Sequence, residues 1–346
     1  GIMEKMIYVS LDIAKYVMAV LILLGHTANE WAHLTGFWHY ALSCCFTVPV
    51  FFVISGFLFF SKIETLDWKR RKEYYKKWSI RVGKMYLIWS LIYFIFVLIR
   101  WCINGFTVDD LINYLHKSLV FSTYATIWFL PALWLGVTIA FWLNKKLGMK
   151  KTCSVLAVLW LLGAYFGAYY GSIPETGILR SFFDGYMDAF KTFRNGLFYG
   201  SVYSYLGYLV YKFSNKFTLK TSLLLVVLLQ LLNLAEIVFI KRITPDANSD
   251  MSLLMLPLAF CIVVFLLQVN IKQRPIYTNL RNQSMLIFCG QRLFLTALPG
   301  VLPAVSAYIN DLSQWGIMGV FTISVLLFTY IVDKLSVSFP VLTYLR

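Results

Sequence analysis

The sequence has little charge, and acidic residues are especially scarce. Only 14% of the 346 residues are charged, and 16 Asp and Glu stand against 31 Lys and Arg. Hydrophobic residues make up 60% and aromatic residues 18%, with a mean hydropathy of +0.71. Soluble domains carry about 25% charged and about 45–50% apolar residues, so this composition excludes an ordinary soluble protein. The chain is therefore predicted to lie in a membrane.

Cysteine and histidine are also scarce and irregularly spaced. The six cysteines show no CxxC spacing and fall mostly within or at the ends of apolar runs, which argues against a zinc site or a disulfide framework. They are Cys44, Cys45, Cys102, Cys153, Cys261 and Cys289. The four histidines also lack the spacing of metal ligands. We therefore expect structural thiols and no metal.

Long apolar runs are what the sequence has in abundance. A hydrocarbon core of about 30 Å takes about 20 apolar residues per helical crossing. A scan for such runs gives about ten candidate spans of 15 to 21 residues: 9–28, 42–60, 85–101, 127–143, 152–170, 197–211, 221–240, 252–270, 284–304 and 315–333. The segments between them are too short for a soluble domain. The first span has no A-x-A-like cleavage site and is followed closely by the second, so we interpret it as retained. The predicted fold is a single all-α domain over 1–346, a polytopic bundle of about ten transmembrane helices.

The basic residues predict how this bundle is oriented. Cytoplasmic segments of membrane proteins collect Lys and Arg, and the segment 61–84 alone holds nine of them. If successive segments between spans alternate from one side of the membrane to the other, 22 of the 31 Lys and Arg lie on the side of this segment and seven on the opposite side. Both termini are therefore predicted to be cytoplasmic. The net charge of +15 then follows from topology and from contact with anionic membrane lipids, and no nucleic-acid partner is expected.

Three segments between the spans have the pattern of short amphipathic helices. The stretch 67–86, "DWKRRKEYYKKWSIRVGKMY", mixes basic and aromatic residues at near-helical spacing, as an interfacial helix would. Within 102–126 and 171–196, "VDDLINYLHKSL" and "LRSFFDGYMDAFKTF" show helical apolar spacing. We expect the last two to lie over the outer mouth of the bundle.

Polar residues within the first span indicate a functional path. Lys15 and His26 are eleven residues apart, which returns a helix to within about 20° of the same face and separates them by about 16 Å along the axis. Glu30 follows His26 by four residues and shares that face. Lys15 alone could snorkel to the inner interface, and His26 alone could make a helix–helix hydrogen bond. Together the three residues favour a polar path through the bundle.

Four motifs in order resemble a known family. They are "LDIAKYVMAVLILLGH" at 11–26, "VPVFFVISGFLFF" at 48–60, "IWFLPAL" at 127–133 and "FRNGLFYGSVYSYLGYLV" at 193–210. The first three resemble the signatures of the acyltransferase-3 family of integral membrane acyltransferases. The fourth is similar to the branch that contains the membrane domains of vancomycin-resistance serine racemases. Beyond about residue 210 the resemblance is only in hydropathy.

The chain departs from the family pattern in three places. Lys15 stands where many members have Arg, which keeps the charge and loses the planar fork. Of the R-x-x-R element before the third helix, only Arg81 is present. Near the C-terminus "IFCGQRLFL" has Gln291 and Arg292 in place of a histidine element.

The resemblance implies an acyl-CoA-dependent O-acetyltransferase of the bacterial plasma membrane. Such an enzyme moves an acyl group, usually acetyl from cytoplasmic acetyl-CoA, to a hydroxyl of a cell-surface polysaccharide, a lipid-linked saccharide or another envelope glycan. Lys15, Arg81 and the basic 61–84 segment would neutralise the CoA phosphates. His26 would accept the hydroxyl proton, or alternatively carry the acyl group, with Glu30 orienting its ring.

Each of the supporting residues has two candidate roles, one functional and one structural. Ser55 and Gly56 are expected to line the CoA channel or, alternatively, to allow close helix packing. Trp128 is expected to form a wall of the acceptor site or to be an interface-belt tryptophan.

The remaining candidates lie toward the predicted outer side. Arg194 and Asn195 are expected to hold the acceptor or to cap the sixth helix. Arg292 is expected to contact a phosphate or the acceptor, because a buried arginine within a span is costly unless it is paired or hydrated.

Two other function classes remain alternatives to the enzyme. A small-solute or amino-acid transporter would also use a polar stripe, although no span shows the paired Gly/Pro interruptions of repeated halves. A silent scaffold for polysaccharide assembly is the other, and the presence of His26 favours the enzyme over it. A homodimer is an open alternative to a monomer.

Overall fold

The computed structural model describes residues 8–42 and 46–346, and this part of the chain contains helices and no strand. Cys44 and Cys45 lie outside the described residues, as does part of the start of the predicted second span. The α-helices are α1 (Val9–Glu30), α2 (Gly36–Leu42), α3 (Thr47–Ile63), α4 (Trp68–Asn104), α5 (Val108–Val120), α6 (Phe129–Gly167), α7 (Ile178–Phe190), α8 (Ser201–Phe213), α9 (Leu219–Ile243), α10 (Met255–Gln268), α11 (Pro275–Arg292), α12 (Leu298–Val301), α13 (Pro303–Asn310) and α14 (Gln314–Ser338).

Six helical segments among the described residues are long and apolar enough to cross a membrane, and α3 and α10 are shorter apolar helices. The six are Val9–Glu30, Trp68–Asn104, Thr126–Gly167, Leu219–Ile243, Pro275–Val301 and Gln314–Ser338. The predicted all-α, multi-pass bundle is therefore confirmed. Every predicted span falls largely on a helix, but the helices over 47–63, 201–213 and 255–268 are shorter than predicted.

Gly148 divides the longest of these segments. Thr126–Gly167 has 42 residues, about 63 Å of helix and roughly twice a bilayer core. At Gly148 the backbone has φ 72° and ψ 170°, so two helices meet there. A positive φ of this kind favours glycine, because a side chain would be strained. The two halves correspond to the predicted spans 127–143 and 152–170.

The helix predicted at 67–86 is present, but the predicted span 85–101 does not begin a new helix after it. That stretch and the predicted span 85–101 form one continuous helix, α4, of 37 residues. Asp67 caps its start by accepting a hydrogen bond from the Arg70 amide at 3.0 Å. The stretch 68–104 contains no proline that would interrupt the helix. The side chains change from basic to apolar along it, but the helical backbone continues.

The two short helices predicted within 102–126 and 171–196 are present as α5 and α7, and their position over the outer mouth stays a prediction. Thr107 and Asp110 form a reciprocal capping box at the start of α5. The His116 ring lies within hydrogen-bond distance of the Ala189 carbonyl, with Nε2 at 2.7 Å, and this contact joins the two helices.

Helices α1 and α11 run parallel and define the two ends of the site. Asp12 and Arg281 pair near their starts at 3.8 Å, and Glu30 and Arg292 pair at their ends. We call the first the basic end and the second the His26 end. Helix α3 packs beside them and very closely against α8, where Gly56 faces the Ser204 backbone without a side chain between them.

Replacement of Gly56 by alanine tests this close approach. A Cβ at Gly56 would meet the backbone of Ser204, so we expect Gly56→Ala to destabilise the protein by about 1–3 kcal/mol through overpacking. The measurement is the temperature at which half of the detergent-solubilised protein leaves the monodisperse peak. Gly83→Ala is the matched control, because a Cβ there meets nothing within 4 Å and alanine favours helix by about 1 kcal/mol. Equal midpoints for the two variants would contradict the packing.

Candidate active site

Arg292 lies at the centre of a polar cluster at the His26 end. Its Nη1 donates to Glu30 Oε2 at 2.5 Å and its Nη2 to Glu30 Oε1 at 2.8 Å, a bidentate ion pair. Its Nε donates to the Thr126 hydroxyl at 2.9 Å. Arg292 is 8% exposed, and the pairing compensates a charge that would otherwise be costly within a span. Arg292 is therefore paired, as expected for an arginine buried within a span. Its predicted contact with a phosphate or the acceptor stays a prediction.

His26 completes this cluster from α1. Its Nδ1 lies 3.1 Å from Glu30 Oε1 and 3.1 Å from Arg292 Nη2. A neutral ring nitrogen cannot donate and accept at once. When Nδ1 carries the proton it donates to Glu30, and the lone pair of Nε2 is then available. The predicted orienting contact of Glu30 with His26 is present.

The Nε2 atom of His26 has the position that a proton acceptor needs. It makes no hydrogen bond with any described residue, and the side chain is 35% exposed. A neutral imidazole held through Nδ1 by a carboxylate can accept a hydroxyl proton at Nε2. The geometry therefore fits the predicted catalytic role of His26, which stays a prediction.

A cavity of about 750 Å³ opens at the basic end, and Lys15, Ser55 and Arg81 all line it. The structure thus brings together three of the four predicted cofactor contacts. Its described lining also includes three further cations and one carboxylate, namely Lys62, Arg281, Arg346 and Asp12. The excess of positive charge suits an anionic ligand.

Two of the predicted cofactor contacts also have clear local interactions. The Lys15 ammonium lies 5.1 Å from the centre of the Phe51 ring, a cation–π distance. The Ser55 hydroxyl donates to the Phe51 carbonyl at 2.8 Å. Gly56 is absent from the cavity lining and packs against Ser204, which is the packing alternative that the sequence left open.

Buried Trp128 and half-buried Arg194 form a second group next to the cluster. The Arg194 guanidinium lies 4.4 Å from the centre of the Trp128 ring and is paired with Asp250 Oδ2 at 2.5 Å through Nη2 and 2.8 Å through Nε. The Tyr199 hydroxyl donates to the same oxygen at 3.0 Å. Trp128 is buried, with 6% of its surface exposed. Within the chain, Trp128 and Arg194 contact each other. Their predicted contacts with an acceptor stay predictions.

A short 3₁₀ turn, Thr126–Trp128, joins the two groups. Thr126 accepts from Arg292 on one side, and Trp128 stacks on Arg194 on the other. The W-F-L element singled out in the sequence therefore connects the His26 cluster to the second group.

Asn195 has the cap role that was the alternative to acceptor binding. Its Oδ1 accepts from the amides of Leu197 and Phe198 at 3.0 and 3.2 Å. Its Nδ2 donates to the Tyr186 hydroxyl at 2.7 Å and to the Thr192 carbonyl at 3.0 Å. These contacts begin the π-helical turn Gly196–Gly200 that leads into α8. An acceptor contact of Asn195 stays a prediction.

Sequence reasoning missed Asp250 and Thr126. Asp250 sits in the polar connection between α9 and α10, where a lone acidic residue resembles any loop residue. Its burial at 6% exposed and its partner Arg194, 56 residues away along the chain, are visible only in the folded structure. Thr126 looked like a helix-start residue, and only its position before Trp128 could have drawn attention to it.

Comparison of the sequence with known proteins identifies its family. The acyltransferase-3 family model, described as an acyltransferase domain, matches residues 8–334. An amino-acid racemase of Enterococcus faecalis is 26% identical over 282 residues, which cover 80% of this chain and 38% of that protein. A second amino-acid racemase of the same species is 24% identical over 271 residues, covering 77% and 37%.

A serine/alanine racemase of Enterococcus gallinarum is 29% identical over 178 residues, covering 51% of this chain and 25% of that protein. The chain therefore spans less than two fifths of the length of the racemases that it matches. No solved structure gives a significant match. The racemase names of these relatives agree with the branch that the fourth sequence motif resembles. Because the family model matches nearly the whole chain, the chain belongs to the acyltransferase-3 family of integral membrane acyltransferases.

Proposed function

We propose that this multi-pass membrane acyltransferase takes an acyl group, acetyl in the simplest case, from acyl-CoA held in the cavity at the basic end. It transfers this group to a hydroxyl of an envelope polysaccharide or other glycan at the His26 end. In this proposal the basic end is cytoplasmic and the membrane is the plasma membrane. One observation carries the proposal: a cation-lined cavity and the His26 cluster lie at opposite ends of the same helices, α1 and α11.

The cavity has the chemistry that a CoA thioester requires. Its cations would pair with the phosphates, for which charge-assisted hydrogen bonds are strong and short. Tyr74 and Trp78 line the same space and offer apolar faces for the adenine ring. The volume of about 750 Å³ lies within the range of about 300–1,000 Å³ of small-molecule sites.

The His26 cluster supplies the proton transfer. Nε2 of His26 takes the proton of the acceptor hydroxyl as its oxygen forms a bond to the thioester carbonyl carbon. The bond from that carbon to sulfur then breaks, and the departing CoA thiolate takes the proton from His26. Glu30 holds the ring through Nδ1 and stabilises the imidazolium, while Arg292 fixes Glu30 in place.

Replacement of Lys15 tests the donor site. We expect Lys15→Ala to weaken CoA binding about tenfold or more, because a charge-assisted hydrogen bond is worth about 1.5–3 kcal/mol, and Lys15→Arg to retain most of the affinity. The measurement is CoA binding by titration calorimetry in lipid nanodiscs. Lys76→Ala, the same charge change at an exposed position of α4 outside the cavity lining, is the control. Equal weakening in both alanine variants would speak against a CoA site at Lys15.

Replacement of His26 tests the proton acceptor. We expect His26→Ala to lower acetyl-CoA turnover by a factor of about 10²–10⁴, the usual contribution of a general base, while CoA binding stays within about twofold. Turnover is read as release of free CoA thiol by purified protein. His116→Ala, which removes a histidine between α5 and α7, serves as control. Full turnover in His26→Ala would rule out this role.

Replacement of Glu30 tests the positioning of the ring. Glu30→Gln keeps the side-chain shape but removes the charge that holds both His26 and Arg292. We expect kcat to fall about 10–100-fold, the value of a hydrogen bond to a charged group, with little change in the KM for acetyl-CoA. Glu30→Asp should recover part of the loss, and Glu175→Gln, at an exposed position, should have no effect. A rise in KM without a fall in kcat would assign Glu30 to substrate binding instead.

A further inference from the structure

Three buried phenylalanines pack against one another inside the bundle. Phe51, Phe129 and Phe288 come from α3, α6 and α11. Their ring centres lie 5.2 Å (Phe51 to Phe129), 5.4 Å (Phe51 to Phe288) and 5.1 Å (Phe129 to Phe288) apart. None is more than 1% exposed. We call these three residues the Phe septum.

The order of residues along α11 places the septum between the cavity and the His26 cluster. Met285 lines the cavity, Phe288 belongs to the septum, and Arg292 holds Glu30. The spacings of three and four residues keep all three on one helix face. Along this face of α11, the cavity comes first, the aromatic ring of Phe288 second and the polar cluster last.

The same order recurs on two other helices. Leu133 lines the cavity, Phe129 lies four residues before it, and Thr126 accepts from Arg292 three residues before that. On α3, Ser55 lines the cavity, and Phe51 lies one turn away toward the His26 end.

Helix α1 contacts the septum through Lys15. Lys15 lines the cavity with its ammonium over the Phe51 ring at 5.1 Å, and His26 lies in the cluster beyond. On each of these helices the three rings therefore lie between the cavity lining and the His26 cluster, along the direct line from the cavity to Nε2 of His26.

We propose that the Phe septum sets the length of the acyl group that the protein transfers, admitting a short chain such as acetyl and rejecting long ones. This inference rests on the proposed function and names its substrate class. Protein interiors are close-packed, so an acyl group crosses only by displacing the rings, and the required displacement grows with each methylene. Discrimination by one methylene in an apolar pocket is typically about 10–200-fold, so even a partial opening of the septum should be measurable.

The test is the chain-length profile of thioester turnover. Purified wild type, Phe51→Ala, Phe129→Ala and Phe288→Ala are compared in nanodiscs for kcat/KM with acetyl-CoA and with octanoyl-CoA. Phe60→Ala is the matched control, since Phe60 is 1% exposed on α3 but packs on Tyr205 and Tyr208. The ratio of the two constants does not depend on the fraction of folded protein, so a merely structural role would not change it.

We expect each septum variant to raise the octanoyl-to-acetyl ratio about tenfold or more and Phe60→Ala to leave it within twofold. Where an alanine variant does not give a monodisperse peak, the leucine variant at that position is held to the same direction of change. An unchanged ratio in septum variants that still turn over acetyl-CoA, or an equal rise in Phe60→Ala, would overturn the septum's role and leave the proposed function intact. Failure of wild type to turn over either thioester would overturn both.

Discussion

The bidentate ion pair between Arg292 and Glu30 is the interaction on which the rest of the site depends. Each group would be costly inside a bundle without the other, because removing one partner leaves an uncompensated charge. The pair joins the ends of α1 and α11 and fixes Glu30 where its Oε1 reaches Nδ1 of His26 at 3.1 Å. Through its Nε, Arg292 also holds Thr126 at the start of the α6 segment. One guanidinium therefore sets the relative positions of three helices and of the imidazole.

The septum and the two ends of the bundle together favour a group-transfer protein over a carrier of whole molecules. Between the cations of the cavity and the cluster around His26 lie three packed phenylalanine rings, none more than 1% exposed. A narrow acyl chain needs only a small movement of these rings, whereas a transported solute would need a much wider opening. The transporter alternative raised by the sequence thus requires a larger rearrangement of the close-packed core than the enzyme does.

Helical periodicity predicted the local parts of this site but could not pair distant residues. Lys15, His26 and Glu30 share a face because eleven and four residues both return a helix near the same direction. Arg292 was recognised as costly unless paired, but its partner Glu30 lies 262 residues away along the chain. Asp250 had no sequence signal, since its role depends on the position of Arg194 in the folded bundle.

The apolar segments show the same limit. A phenylalanine that faces lipid and one that closes the septum look alike in an apolar run, so Phe51 and Phe288 could not be singled out. The continuous helix α4 was divided in the prediction because its composition changes from basic to apolar, although nothing in that stretch breaks the backbone. Gly56 was assigned two alternatives, and only the approach of the Ser204 backbone shows which contact it makes.

The most direct measurement of the central claim is the position of a bound donor, obtained from a cryo-EM structure of the protein with a non-hydrolysable acetyl-CoA analogue. The account predicts density for the phosphates among Lys15, Arg81 and Arg281 in the cavity, with the thioether arm directed through the Phe septum toward His26. An analogue bound outside this cavity, or an arm directed away from His26, would contradict it.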